Sequence, residues 1–208
     1  MSIRLIWGRQ TLPLNRIEIF SDSVFAIIIT LLVLEIKLPE LETANVSEHL
    51  TVSLFYLLPK IVSYIISFIT VAIFWVSHYH LFNHMKHSDH GLLWLNNLLL
   101  LFLAFIPFPT GLIGSFPGEP LAVVLYGLVL FLSSLNFYFI RFYAYKKHLY
   151  QEKHEKHECA IVKKGLIPPV MYLIGMLFGS MRPVIGILIF AIVPAAYLLT
   201  RNIEIKRG

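Results

Sequence analysis

Apolar residues in this chain fall into long runs, cut by short polar or Gly/Pro-rich breaks. A bilayer's hydrocarbon core is about 30 Å thick, which about 20 helical residues cross, so the pattern predicts transmembrane helices. Six are read, at about 17–37, 51–81, 92–113, 120–141, 160–179 and 183–200. The second is interrupted early by Pro59-Lys60, the third closes on PFPTG, and the fifth carries Pro168-Pro169 in its first half. GSFPGEP (114–120) and GSMRP (179–183) read as tight turns, punctuated by Gly and Pro. The apolar runs are continuous rather than alternating, which argues against a β-barrel. The expected fold class is all-α integral membrane, a single six-helix domain over 1–208 with no internal duplication. The longest polar piece, 141–164, is expected to extend helices beyond the membrane.

Composition sharpens this picture. Charged residues make up 14% of the chain, where a soluble domain carries roughly 25%, and mean hydropathy is +0.74. The net charge of +5 is unevenly placed. Arg4, Arg9 and Arg16 precede the first span, and Lys86 lies between the second and third. Arg141, Lys146, Lys147, Lys153, Lys156, Lys163 and Lys164 surround the fourth-to-fifth connection, and Arg201, Lys206 and Arg207 follow the sixth. These are 14 of 17 basic residues, all on one side of an even-numbered bundle. Lys37, Lys60 and Arg182 fall on the other side, with Glu40, Glu42, Glu48 and Glu119 among them. The positive-inside rule then puts both termini in the cytoplasm. The basic charge serves topology and contact with anionic lipid, not nucleic acid. MSIRLIWGRQTLPLNR lacks a signal peptide's unbroken apolar core and cleavage site, so the first helix is expected to be the insertion signal. One cysteine, Cys159, allows no intrachain disulfide.

The first span poses a question. RIEIFSDSVFAIIITLLVLEIKLP (16–39) is almost pure hydrocarbon from Ser23 to Leu34, yet Arg16, Glu18, Ser21 and Asp22 stand at its threshold. At 100° per residue from Arg16, Ile27, Leu31 and Leu34 fall within about 60° and form one apolar stripe. Ser21 and Asp22 fall near about 140° and 240°, toward other neighbours. A carboxylate at the membrane boundary costs several kcal/mol unless it is paired or wet. Candidate partners at the same depth are Trp75, His78 and His80 at the end of the second span, and Asn96 or Asn97 at the start of the third. A polar knot of Arg16, Ser21, Asp22, Trp75, His78 and one asparagine is one reading. Ordinary interfacial residues, each facing water, are the other.

RIEIFSD resembles the R-x-x-x-F-S-D signature that opens the first helix of TMEM175-like cation channels, through Arg16, Phe20, Ser21 and Asp22. Trp75 with His78, and Asn96 or Asn97, match that family's second- and third-helix positions. The resemblance implies a potassium-permeable channel of the single-repeat bacterial kind. It implies a multi-pass protein of the cell membrane, homotetrameric, with the first helices around a central pore. The motif residues would tie the first helix to the second and third, without coordinating the ion. The constriction would be apolar: Ile27, then Thr30 or Leu31, then Leu34, in agreement with the stripe. No cofactor is implied; K+, other monovalent cations, lipid and further copies of the chain are the expected partners.

Other features are read against simpler alternatives. Thr30 is the sole polar group midway along the first helix, and either bonds back to its own helix or faces a lumen. Ser63, Ser67, Thr70 and Ser77 share one face of the second span, a pattern of close internal packing. His80, His84 and His87 have helical spacing that could serve metal or proton, against the simpler reading of a wet helix end. The further histidines at 90, 148, 154 and 157 suggest no site, and the EKHEKHE run (152–158) reads as mixed charge alone. Glu35, with Lys37, Glu40 and Glu42, could ring an outer mouth or simply end a helix in water. No TVGYG loop, Arg array, G-x-S-x-G, Walker A or dinucleotide fingerprint occurs, so an enzyme is not expected. A proton- or metal-coupled transporter would need a mid-membrane carboxylate or broken-helix site, and no Asp or Glu lies at the centre of any span. A membrane scaffold that transports nothing is the remaining alternative.

Overall fold

A computed structural model describes residues 13–37 and 54–205. Arg4, Arg9, Glu40, Glu42, Glu48, Lys206 and Arg207 lie outside these residues, as do the side-chain placements of Lys156, His157, Cys159 and Arg201. Eight helices are found among the described residues: α1 Leu14–Val33, α2 Leu58–Asn83, α3 His90–Ala104, α4 Pro107–Ser115, α5 Pro120–Lys146, α6 Glu152–Lys164, α7 Ile167–Met181 and α8 Pro183–Ile205. Four stretches are long and apolar enough to cross a membrane: Leu54–Asn83, His90–Ser115, Pro120–Lys146 and Ile161–Met181. The protein is an all-helical, multi-pass membrane protein.

Two expected spans are broken, and proline explains both. The third, read as one helix over 92–113, divides into α3 and α4 around Phe105-Ile106. Pro107 and Pro109 have no N–H to return to the carbonyls of the preceding turn, so the ladder stops and restarts with them in a new first turn. The fifth divides at Gly165-Leu166 for the same reason, with Pro168 and Pro169 opening α7. Its polar first part is a helix of its own, α6, in place of an extension of the membrane span. Pro59 likewise sits in the first turn of α2, and Pro120 in that of α5. α3 starts on a conventional cap: Asp89 Oδ1 accepts from Leu92 N at 2.9 Å.

α5 is the hub. It packs on α3, α4, α6, α7 and α8, and its Val123, Leu130 and Ile140 are fully buried. α7 and α8 meet where Gly179 faces Gly186; a methyl on Gly186 would stand 2.7 Å from the Gly179 Cα, so only small residues allow this approach. α1 lies at the edge and rests on α2, α3 and α4.

Candidate functional site

α1 has two faces. Ile17, Ser21, Phe25, Ile28 and Leu32 turn into the chain's own core, with Ile28 1% and Leu32 0% exposed. The opposite arc carries Phe20, Ile27, Leu31 and Leu34, and Ile27 is 57% and Leu34 63% exposed. Thr30, beside that arc, is exposed too, and its hydroxyl donates to the Ile27 carbonyl at 2.8 Å. Back-bonding uses the donor and leaves a lone pair free, so the two readings of Thr30 are compatible.

The threshold of α1 is hydrogen-bonded into α2 and α3. Asn96 Nδ2 donates to Ser21 Oγ at 2.9 Å, and His78 Nε2 donates to Asn96 Oδ1 at 2.8 Å. Ser21, His78 and Asn96 are each at most 1% exposed, which makes this a dry, satisfied chain across three helices. Because Nε2 donates, the imidazole carries its proton there. The ring is held between Phe25, edge-on at 5.6 Å, and Phe82, stacked at 4.2 Å. Trp75 Nε1 donates to Asp22 Oδ1 at 2.9 Å, and both side chains stay partly exposed. Each such bond is worth about 1 kcal/mol net, and orphaning a buried partner costs about 1–3 kcal/mol.

The expected polar knot is thus brought together in part. Ser21, Asp22, Trp75, His78 and Asn96 are in it. Asn97 is half-buried one position round the helix, while Asn96 points into the core. Arg16 is exposed and lies on the arc of Ile27 and Leu34, away from Ser21, so it does not join the bonded chain. Phe20 is on that arc as well. Glu35 turns toward α4, where a Cβ added at Gly111 would collide with its carboxylate. It does not stand on the Ile27/Leu34 stripe.

Other groups meet in ways the linear sequence did not announce. His87 lies beyond the end of α2, so the helical spacing of His80, His84 and His87 does not converge on one face. No cluster of three or more His, Cys, Asp or Glu suited to a metal is found among the described residues. His84 instead pairs with Glu158, Nδ1 to Oε1 at 2.7 Å, and stacks on His154 at 4.0 Å. Glu158, read as mere mixed charge, is 1% exposed and also accepts from Arg141 at 2.7 Å. Burial, with the Glu158 carboxylate close by, pushes the Tyr150 hydroxyl well above its ordinary range. Gln151 closes this latch, donating its N–H to the His84 carbonyl at 2.9 Å and its amide to the Asn83 and Met85 carbonyls. Within the bundle, Ser67 Oγ bonds Thr110 Oγ1 at 2.8 Å and Tyr126 OH at 2.9 Å, while Ser77 donates to Tyr197 at 3.0 Å. The hydroxyl face of α2 is internal glue, in line with its close-packing pattern.

Comparison with known proteins agrees with the motif. The family model described as "Endosomal/lysosomal potassium channel TMEM175" matches residues 16–107, which contain α2, α3, all of α1 but its first two residues, and the whole bonded chain. A potassium channel of Chamaesiphon minutus is 36% identical over 165 residues, 77% of this chain and 81% of that protein. The crystal structure of a lysosomal potassium-selective channel TMEM175 homolog from Chamaesiphon minutus superposes with a TM-score of 0.81 at 29% identity, over 91% of this chain and 98% of that one. The endosomal/lysosomal proton channel TMEM175 of Gallus gallus is 25% identical over 92% of this chain, which spans 37% of that protein.

Proposed function

Because the chain belongs to the TMEM175 family of ion channels, we propose that it is a potassium-permeable channel conducting passively through a central pore. Each subunit crosses the membrane six times with both ends in the cytoplasm, α1 and α8 completing the four apolar stretches. Four subunits surround an axis, with the α1 helices inward. The observation that carries this reading is the split character of α1. Its Ser21/Phe25/Ile28/Leu32 face is sealed into its own subunit, and its Phe20/Ile27/Leu31/Leu34 face is left exposed among the described residues. A helix with no polar side chain between Ser23 and Leu34 other than Thr30 is a poor pore alone. Four copies make rings of Ile27, Thr30 or Leu31, and Leu34.

Such rings offer the ion no oxygen ligands apart from Thr30, so they constrict by size and by dewetting. The ion that loses water at lower cost passes more readily, which favours K+ over Na+. The Ser21–Asn96–His78 chain and the Asp22–Trp75 bond hold α1 by its threshold, so the rings keep their diameter. The answer to the polar threshold is mechanical: it anchors the helix whose apolar remainder faces the ion. A coupled transporter is disfavoured by the same segment, which has no titratable side chain from Ser23 to Leu34. Proton passage is the second reading, carried by the name of the Gallus gallus relative. With no titratable relay on this stretch, it would need a file of water.

The test is ion flux through purified protein in liposomes, with K+, Na+ and proton gradients in turn. Wild type is expected to pass K+ faster than Na+. Ile27→Asn is expected to wet the ring, raise flux and lower the K+/Na+ preference toward one. A folded wild type that moves none of these ions under any gradient would end the channel reading.

A further inference from the structure

α4 is the short helix left over when proline breaks the third span, and three contacts give it a task. At Gly111, the three nearest atoms to an added Cβ all belong to Glu35, the carboxylate first. At Gly114, one turn on, an added Cβ would stand 2.8 Å from Ser63 Oγ and 2.9 Å from the Lys60 Cα, so the backbone of α2's first turns presses directly on α4. Lys60 in turn reaches back to α1's exit, its Nζ donating to the Lys37 carbonyl at 3.4 Å. The two glycines therefore form a flat strip that receives the end of α1 and the start of α2.

The strip does not float. Thr110, next to Gly111, is 1% exposed and bonds Ser67 Oγ at 2.8 Å. Ser67 also bonds Tyr126 OH, so α4 is tied to α2 and α5 at the position beside the Glu35 contact. Thr110 additionally donates to the Ile106 carbonyl at 2.8 Å, which also accepts the Thr110 N–H at 3.2 Å. Glu35 lies about 20 Å along α1 from Asp22, at about 1.5 Å per residue. The Ile27–Leu34 rings fall between these two points.

We infer that α4 is a seat that fixes the far end of the pore helix, with Gly111 and Glu35 as positioning residues for the Leu34 ring. This rests on the reading of α1 as the pore helix. Glu35 acts here by shape, wedged over a residue with no side chain, and not as a charged mouth ring. A methyl at Gly111 meets the end of the Glu35 side chain, which must turn out of its seat on α4.

The experiment is the K+/Na+ reversal potential of the reconstituted full chain in planar bilayers. Gly118→Ala is the control, because nothing lies within 4 Å of a Cβ there. Gly111→Ala is expected to change the permeability ratio by about twofold or more, as contacting residues couple, while Gly118→Ala leaves it at the wild-type value. Glu35→Ala is expected to change it too. In the Gly111→Ala/Glu35→Ala double variant the second substitution has little left to change, because either one alone already takes the carboxylate out of its seat. Glu35→Gln keeps the wedge and is expected to keep the ratio, also at low ionic strength. If Gly111→Ala does not yield folded tetramer, the Glu35→Ala and Glu35→Gln pair decides alone. Loss of K+ conductance at low salt in Glu35→Gln would overturn the seat in favour of a mouth ring. A folded Gly111→Ala or Glu35→Ala with the wild-type ratio would overturn it outright. Ile27→Asn, run alongside, separates this failure from that of the pore reading: if it too leaves the ratio unchanged, α1 is not the pore helix.

Discussion

The two faces of α1 have nearly the same composition and opposite fates. Ile28 and Leu32 are buried to completion, while Ile27 and Leu31, one residue earlier in each case, are 57% and 42% exposed. Hydropathy does not separate them. What separates them is the hydrogen-bonded chain at the threshold, which fixes the rotation of the helix about its axis. Once Asn96 holds Ser21, the helical period decides that Phe25, Ile28 and Leu32 face inward and Ile27 and Leu34 face out. A few polar atoms at one end thus assign the roles of the ten apolar side chains from Val24 to Leu34.

Substitutions that exchange the fates of the two faces should have the largest effects. Ile28→Asn puts an amide into a fully buried position with no partner, at about 1–3 kcal/mol for the unmet groups plus the lost packing. It is expected to abolish monodisperse protein on size-exclusion chromatography, whereas Ile27→Asn, on the exposed arc, is expected to purify and melt like wild type. Asn96→Leu comes next. It leaves Ser21 Oγ and His78 Nε2 without their partner, about 1–3 kcal/mol for each orphaned group. The melting temperature should fall, and the K+/Na+ ratio of the surviving channels should fall with it as α1 gains freedom to rotate. Glu158→Gln is a smaller perturbation, at about 1–2 kcal/mol from weakened bonds to Arg141 and His84. Because that latch lies away from α1, thermal stability should drop while the permeability ratio stays put. Trp75→Phe is smallest, removing a single partly exposed bond to Asp22 worth about 1 kcal/mol. A double variant Asn96→Leu/Trp75→Phe would show whether the two bonds hold α1 independently, through additive losses, or as one unit.

Much of this was legible in the sequence, and the parts that were not have physical causes. The apolar stripe followed from helical period, while matched depth made Ser21, Asp22, Trp75 and His78 one of two readings and the family motif favoured it. Asn96 could not be told from Asn97, since adjacent residues differ by about 100° and either could point inward. The breaks at Ile106 and Leu166 were hidden because Pro107, Pro109, Pro168 and Pro169 were read as punctuation within spans, although each removes a donor. Glu158 was missed for a different reason. A Glu among Lys and His looks solvated in one dimension, and only the return of α6 beneath α2 and α5 surrounds it with Arg141 and His84. Glu35 was read as either ringing an outer mouth or ending a helix in water. Its direction depended on Gly111, 76 positions later. Arg16 and Phe20 were grouped with Ser21 and Asp22 by motif, yet the helix sends them to the opposite arc.

On the proposed reading Ile27, and not Ile28, faces the ion path. Its most direct test is a pair of single-cysteine channels, Ile27→Cys and Ile28→Cys, in a Cys159→Ser background, recorded in bilayers during addition of Cd2+. The expected result is prompt block of Ile27→Cys current, relieved by a chelator, with Ile28→Cys current unaffected wherever that protein folds. Current through Ile27→Cys that ignores Cd2+, or block of Ile28→Cys instead, would contradict it.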